Sequence, residues 1–180
     1  MAFSHIGLAT GDLGAAHRFY TEAMGFTLVH VEGAATDAPG GWLRHALYDT
    51  GDGSILALQE LHDERAVGVD FAISRGLGLP SWVNHVAFRA QDAAGLDAAR
   101  DRLLQFGCDV MAMEHSHGRS VYAEDPDGNT VAWCWDHRPF GPEERARAER
   151  LLREPDLPLD APTAMELHAA ADHAALEGRE

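Results

Sequence analysis

Two stretches of the chain decide the fold: SHIGLATGDLGAAHRFYTEAMGF at residues 4–26 and NHVAFRAQDAAGLDAARDRLLQF at residues 84–106. Each begins with a polar residue and a histidine, continues as an apolar strand, and carries an aspartate seven residues after the histidine. An amphipathic helical pattern follows and ends at a glycine, which is typical of a helix C-terminus. This internal repeat predicts two copies of one structural module.

The segments that follow the two helices also match each other. WLRHALYDTGDGSILALQE (42–60) and HGRSVYAEDPDGNTVAWCW (117–135) align without a gap, and an Asp-Gly pair falls at the same place in both. Asp-Gly between apolar runs is a strong signal for a β-hairpin. Each half therefore predicts a strand, a helix and a three-stranded meander, which is a βαβββ module.

We expect an α+β fold in which two βαβββ modules form a paired, barrel-like cleft. The first module takes residues 1–62 and the second takes residues 83–138. Residues 63–82, which contain a charged stretch and a stretch rich in glycine and proline, read as a linker with one helical turn.

The remaining residues, 139–180, predict a helical tail. A proline at the first helical position and acidic residues in the first turn indicate a helix from Pro142 to about Arg153. A capping box that begins at Thr163 predicts a second helix, which would end near Gly178. Such a tail suits a packing arm or a contact in a dimer, and the alternative is a tail that is only partly ordered.

The composition excludes several classes of function. The chain has 180 residues, 29 of them acidic and 14 basic, and a formal net charge of −15, so neither a nucleic acid nor an anionic membrane surface is an expected partner. All the basic residues are arginine, which excludes Schiff-base lysines and a P-loop lysine. We expect a cytoplasmic protein, because the sequence shows no signal peptide and no apolar run long enough to span a membrane.

His5 and His85 occupy equivalent positions in the two repeats. Inward-facing residues at equivalent positions would meet in a cleft between the modules. Two imidazoles that converge there are the beginning of a site for Fe²⁺, Mn²⁺, Ni²⁺ or Zn²⁺, which usually needs a carboxylate as a further ligand. The same histidines could instead be ordinary structural residues of their strands.

The chain resembles the vicinal oxygen chelate superfamily, which includes glyoxalase I, extradiol dioxygenases, and bleomycin and fosfomycin resistance proteins. The resemblance rests on SHIGLATGDL, FYTEAMGF, VNHVAF and YAEDPDGN, and it covers residues 3–135. It implies the paired-module fold, a small-molecule substrate or ligand, and a homodimer. It also implies metal ligands on the first and last strand of each module.

The carboxylates that the resemblance implies are absent, because Ala57 and Ala132 occupy their positions. Glu60 is the substitute we favour, together with the two histidines, and a β-bulge would turn it inward. Gln59 and Cys134 are the other substitutes on these strands. Glu60 could equally be an exposed residue at the end of its strand.

Tyr122 lies ten residues before Ala132, which is the spacing at which extradiol dioxygenases carry an acid–base tyrosine. His115 and His117, in the sequence EHSHG, are candidates for the general base or for a residue that supports a ligand. The alternative is that both histidines belong to an exposed loop.

These observations favour a metalloenzyme, glyoxalase-like or extradiol-dioxygenase-like, that acts on a small oxygenated molecule. The alternative is a metal-free protein that binds a drug or another small molecule, as bleomycin resistance proteins do. The paired histidines favour the enzyme, whereas Ala57, Ala132 and the four tryptophans favour the binding protein.

Overall fold

The computed structural model describes residues 3–157 and 164–170. The first module consists of β1 (His5–Thr10), α1 (Leu13–Arg18), β2 (Thr27–Ala35), β3 (Trp42–Asp49) and β4 (Ile55–His62). A π-helical turn, Phe19–Ala23, continues α1.

The second module repeats this order. It consists of β5 (His85–Arg89), α3 (Ala93–Phe106), β6 (Val110–Glu114), β7 (Gly118–Glu124) and β8 (Thr130–Asp136). Between the modules lie a 3₁₀ turn, Glu64–Ala66, and the short helix α2 (Ile73–Gly76). After the second module come α4 (Pro142–Leu151) and a ninth strand, β9 (Ala164–His168).

The two sheets have the same topology. The strand order is β1-β4-β3-β2 in the first sheet and β5-β8-β7-β6-β9 in the second, and the first and last strands of each module are parallel neighbours. The remaining pairs are antiparallel. The two βαβββ modules predicted from the repeat are therefore confirmed.

The repeated aspartates and glycines define the ends of the main helices. The side chains of Asp12 and Asp92 accept hydrogen bonds from backbone N–H groups three residues later, in the first turns of α1 and α3. Gly25 and Gly107 follow the helices with φ values of 78° and 102°. Glycine adopts this left-handed conformation without the strain that a side chain would add.

One hydrophobic core joins the modules. It includes Leu8 and Phe19 from the first module and Leu96 and Val131 from the second. Along each strand, alternate residues point toward this core, and we call that side of each sheet the helix face. The opposite side is called the open face.

The turn between β7 and β8 also ties the modules together. Asp125 is buried there and accepts hydrogen bonds from the Tyr20 hydroxyl (2.8 Å) and from the backbone N–H of Asn129 (2.8 Å). Asp127 accepts a further bond from the backbone N–H of Gly11 (2.9 Å). Because Gly11 and Tyr20 belong to the first module, the geometry of this turn depends on both halves of the chain.

The tail differs from its prediction in one element. Helix α4 is present, as predicted from Pro142, but the predicted helix from Thr163 is wrong over Ala164–His168, which form β9. This strand pairs antiparallel with β6, whose outer edge offers unpaired backbone groups. Thr163 and the rest of that predicted helix beyond residue 170 lie outside the described residues.

Within residues 3–157 and 164–170, no helix is both long enough and apolar enough to cross a bilayer.

Candidate functional site

Two cavities lie near the residues that the sequence singled out. The first, which we call the inter-module cavity, has a volume of about 460 Å³ and lies where the β1 edge of one sheet approaches β5 and α3. Residues of both modules line it, among them Phe3, His5, Phe88, Arg89 and Trp133.

The second cavity, which we call the Met cavity, has a volume of about 560 Å³ and lies on the open face of the second sheet. Its apolar wall is formed by Trp82, Met111, Met113, Tyr122, Met165 and Leu167. His85 also lines it, as do the carboxylates Asp109 and Glu124 at its polar end. The cavity is therefore apolar along the sheet and acidic at one end.

The strand register explains why these side chains meet. Met111 of β6 is paired with Tyr122 of β7 on one side and with Leu167 of β9 on the other. Met113 is likewise paired with Met165 of β9. Since residues paired across strands point to the same face of a sheet, the four apolar side chains and the tyrosine form one continuous surface.

Hydrogen bonds to backbone carbonyl oxygens hold the segment that carries Trp82 beside this surface. His85 donates through Nδ1–H to the carbonyl oxygen of Trp82 (3.2 Å), and the Thr130 hydroxyl donates to the carbonyl oxygen of Ser81 (3.0 Å). The His85 ring lies 6.0 Å from that of Tyr122, centroid to centroid. In the neutral ring, this bond places the proton on Nδ1 and leaves Nε2 as the acceptor.

His5 and His85 line different cavities: His5 lies in the inter-module cavity and His85 in the Met cavity. Among the described residues, no group of three or more His, Cys, Asp or Glu side chains is arranged to hold a metal ion. Shared coordination of one ion by these two histidines stays a prediction.

Glu60 lies on the helix face of the first sheet. The register of β4 against β1 and β3 is regular through this residue, so the bulge that would have turned Glu60 inward is absent. Its Oε1 accepts the backbone N–H of Leu13 (3.1 Å), and its Oε2 lies 2.8 Å from His62 Nε2 and 3.5 Å from an Arg44 nitrogen. Glu60 thus stabilises the start of α1, and its metal role stays a prediction.

These contacts also set the ionisation of Glu60. Burial disfavours the charged carboxylate, but the hydrogen bonds from His62 and from the Leu13 N–H outweigh it and hold the pKa of Glu60 below its usual value.

The two alanines at the positions where the family resemblance implies carboxylates are almost completely buried in their sheets. Ala57 is 0% and Ala132 is 1% exposed, and Ala132 is paired with Tyr122 across the β7–β8 ladder. Gln59 follows Ala57 on the open face and is exposed. Cys134 contacts the Ser120 hydroxyl (3.2 Å), and burial raises the pKa of its thiol, which favours the neutral form over a metal-binding thiolate.

His115 and His117 lie in the turn between β6 and β7. Their rings stack 5.7 Å apart, and His117 also packs on Phe140 (5.0 Å). Neither residue lines the cavity that contains Tyr122 and His85. A general-base role for these histidines stays a prediction, and the ring contacts observed are between the two histidines and between His117 and Phe140 of the tail.

The open face of the first sheet carries a polar cluster instead of methionines. His45 Nδ1 lies 3.2 Å from one carboxylate oxygen of Glu32, and His30 Nε2 lies 3.5 Å from the other. Hydrogen bonding from His45, and then from His30, lowers the pKa of Glu32. The open faces of the two sheets therefore differ in chemistry, although the sheets share one topology.

Sequence reasoning missed the methionine wall. Its signal was present, since Met-Ala-Met at 111–113 and Met-Glu-Leu at 165–167 both alternate with the period of a strand. The second of these patterns lay inside a stretch predicted to be helical, so its apolar face was not assigned to a sheet.

Comparison with known proteins agrees with this architecture. The family model of the Glyoxalase/Bleomycin resistance protein/Dioxygenase superfamily matches the sequence over residues 2–132. Among curated proteins, none has a significantly similar sequence.

Similar solved structures include a glyoxylase/bleomycin resistance protein/dioxygenase domain from Frankia sp. EAN1pec, which is 20% identical with a TM-score of 0.54. The match covers 76% of this chain and 98% of that one. A possible glyoxalase from Bacillus cereus is 26% identical with a TM-score of 0.51, covering 74% and 97% of the two chains. TnmS3, an antibiotic binding protein from Streptomyces sp. CB03234, is 21% identical with a TM-score of 0.50, covering 76% and 96%.

The similar structures share the fold, and the family model spans both modules up to β8. The resemblance to the vicinal oxygen chelate superfamily is thereby confirmed, and the chain belongs to the glyoxalase/bleomycin resistance protein/dioxygenase superfamily.

Proposed function

We propose that this protein binds a small aromatic molecule in the Met cavity without a metal ion. The observation that carries the proposal is the contrast between an apolar wall of methionine, leucine, tryptophan and tyrosine and the buried alanines at the two carboxylate positions. Within one chain, the residues present do not fit the ligand set that the family resemblance implies, because Ala57 and Ala132 offer no carboxylate and the two histidines line different cavities.

The Met cavity has the properties of a ligand site. Its volume of about 560 Å³ lies in the ordinary range for small-molecule pockets. Methionine thioethers adapt to irregular shapes and make favourable contacts with aromatic rings, while Trp82 and Tyr122 offer flat surfaces for stacking. TnmS3, an antibiotic binding protein, is similar in structure to this chain, so a binding function is compatible with the fold.

Acridine at pH 8, where it is neutral, is a suitable fluorescent probe for this proposal. We expect saturable binding to the wild-type protein, and weaker binding by about three- to tenfold in Met111→Gln, because glutamine has the length of methionine but a polar end. Leu152→Gln is the matched control, since Leu152 is exposed at the end of α4 and lines neither cavity. Equal affinity in all three proteins would contradict binding at the Met cavity.

A metalloenzyme is the second candidate, favoured by the position of His85 beside Tyr122 with its Nε2 available. The protein should be purified without an affinity tag and its metal content measured. Under our proposal the metal content is far below one ion per chain, and Ala132→Glu leaves it there. About one ion per chain in the wild type, or a strong rise in Ala132→Glu, would favour the enzyme.

A homodimer would offer the way for His5 and His85 to reach one site, because they line different cavities of a single chain. The exposed apolar side chains around the Met cavity, among them Trp82 at 69% and Leu167 at 70%, support association of two copies. Light scattering coupled to size-exclusion chromatography tests this, with a mass of about twice 19.5 kDa expected and a monomer mass contradicting it.

A further inference from the structure

From the charges around the Met cavity, we infer that its ligand is an aromatic cation. This inference rests on the proposed function and specifies the class of molecule that the cavity takes. The lining residues include two carboxylates, Asp109 and Glu124, and in the part of the chain that the structure describes no arginine lines the cavity. A cationic ring would therefore meet an apolar wall and a negative end at the same time.

Glu124 is the charge available to a ligand. It is the last residue of β7 and lies two residues after Tyr122, so both side chains project from the open face. Among the described residues, Glu124 makes no hydrogen bond through its side chain and no ion pair within 4 Å. Arg75 interacts electrostatically with Glu124, but its guanidinium forms an ion pair with Asp70 (2.6 Å). The carboxylate is exposed and can turn toward a ligand without breaking an existing contact.

Asp109 forms a second, more rigid part of the acidic end. One of its oxygens accepts the backbone N–H of Ala170 (2.8 Å), just after β9. This bond fixes the end of β9 beside the cavity, and among the described residues the other oxygen of the carboxylate has no hydrogen-bond partner. The same aspartate therefore stabilises the strand that carries Met165 and Leu167.

The aromatic residues of the wall add an attraction that is specific for cations. The faces of tryptophan and tyrosine rings carry negative electrostatic potential, so a cation placed over them is attracted to the ring. Trp82 is the best such ring in the cavity, and its backbone is fixed by the bond from His85. Neutral aromatic ligands would use the same stacking surface without this gain.

The probes for the test share one ring system and differ in charge. N-methylacridinium is a permanent cation, acridine is neutral at pH 8, and acridine-9-carboxylate is an anion. Fluorescence titration of the full chain at low ionic strength should give an affinity about tenfold higher for the cation than for acridine, and the weakest binding for the anion. Glu124→Gln should remove most of the preference for the cation, because it should weaken the binding of N-methylacridinium several-fold more than the binding of acridine.

Glu143→Gln is the matched control for Glu124→Gln. Glu143 is exposed in the first turn of α4 and lines neither cavity, so its loss makes the same change in net charge. If the total charge of −15 alone attracts the cation, the two variants will lose the preference equally, and the inference is wrong. Trp82→Ala should weaken the binding of both acridine and N-methylacridinium.

Failure of this inference is distinguishable from failure of the proposed function. Binding of all three probes with equal affinity, each weakened by Met111→Gln, would overturn the preference for a cation and keep the cavity as a binding site. No binding of any probe, or binding insensitive to Met111→Gln, would overturn both. Circular dichroism of each variant shows whether a loss of binding reflects a loss of folding.

Discussion

The carboxylate of Asp125 accepts four hydrogen bonds at a position that is only 6% exposed. The donors are the Tyr20 hydroxyl, the backbone N–H groups of Asp127 and Asn129, and the Asn129 side chain. Burial nevertheless raises the pKa of Asp125, since these bonds offset only part of the lost hydration. Burial, and then the charge of Asp125, likewise raises the pKa of Tyr20 well above its usual value.

The pKa of Tyr20 predicts a loss of stability in alkali. Above about pH 10 an unfolded tyrosine releases its proton while the folded Tyr20 retains it, so the folded state binds more protons and the free energy of unfolding falls as pH rises. The fall from this group approaches about 1.4 kcal/mol per pH unit. Below about pH 10 the group has the same proton count in both states and contributes no pH dependence.

Urea unfolding of the wild type and of Tyr20→Phe between about pH 9 and 11 measures this effect. The variant should lose less stability over that range. Part of the dependence of stability on pH should remain, because burial also raises the pKa of Tyr48. Tyr122→Phe is the control, because its hydroxyl lies on the open face, away from Asp125. A slope in Tyr20→Phe as steep as that of the wild type would refute the assignment.

Among the elements, β9 adds most to what the family fold provides. It lies beyond the residues that the family model matches and adds a fifth strand to the second sheet. Its odd-numbered side chains, Met165 and Leu167, extend the wall of the Met cavity. An edge strand of five residues contributes more to the shape of the cavity than to the stability of the core.

We expect Glu166→Pro to detach β9 without unfolding the protein, because proline removes a backbone donor and fits poorly in a paired strand. The free energy of unfolding should change by less than about 1 kcal/mol, while amide hydrogen exchange in β6 should become faster and acridine should bind more weakly. Glu166→Ala is the matched control. Unchanged exchange at Val110–Glu114 would show that β9 does not protect that edge.

The sequence allowed the repeated elements to be predicted because their signals are local. Aspartate caps, terminal glycines and strand periodicity all lie within the residues that form each helix or strand, and the repeat supplied each signal twice. The pairing of β9 depends on β6, some fifty residues earlier, and its alanine-rich surroundings favour a helix by local propensity. The segment forms a strand because pairing with the free edge of β6 outweighs its local preference for a helix.

The candidate site was less predictable for a similar reason. His85 and Tyr122 were selected from the sequence, and the structure brings their rings together. Glu60 was also selected, but its direction depended on a bulge that the regular register does not contain. The methionines became visible as a wall only when three strands from distant parts of the chain were placed side by side.

For the molecule as a whole, the two modules should unfold together. They share one hydrophobic core and the hydrogen-bonded turn at Asp125. Urea unfolding followed by tryptophan fluorescence and by far-ultraviolet circular dichroism should give coincident transitions, since tryptophans occur in both modules. Two separated transitions would mean that the modules are independent.

Asp125→Asn should lower the midpoint of that transition by the equivalent of about 1–3 kcal/mol, because an amide cannot accept all four hydrogen bonds. Asp101→Asn, on the exposed surface of α3, is the control and should change the stability by less than about 0.5 kcal/mol.

The position of β9 has a consequence for the behaviour of the protein in concentrated solution. Strand β2 also borders a sheet, but a register shift between Leu28 and His30 and the charge of Glu32 make it a poor template for another strand. The border at β6 has no such protection, since its open-face side chains are methionines, and β9 covers it. A chain that lost β9 would expose the unpaired backbone groups of β6 beside an apolar surface. Copies of that chain would polymerise through this sheet edge and precipitate.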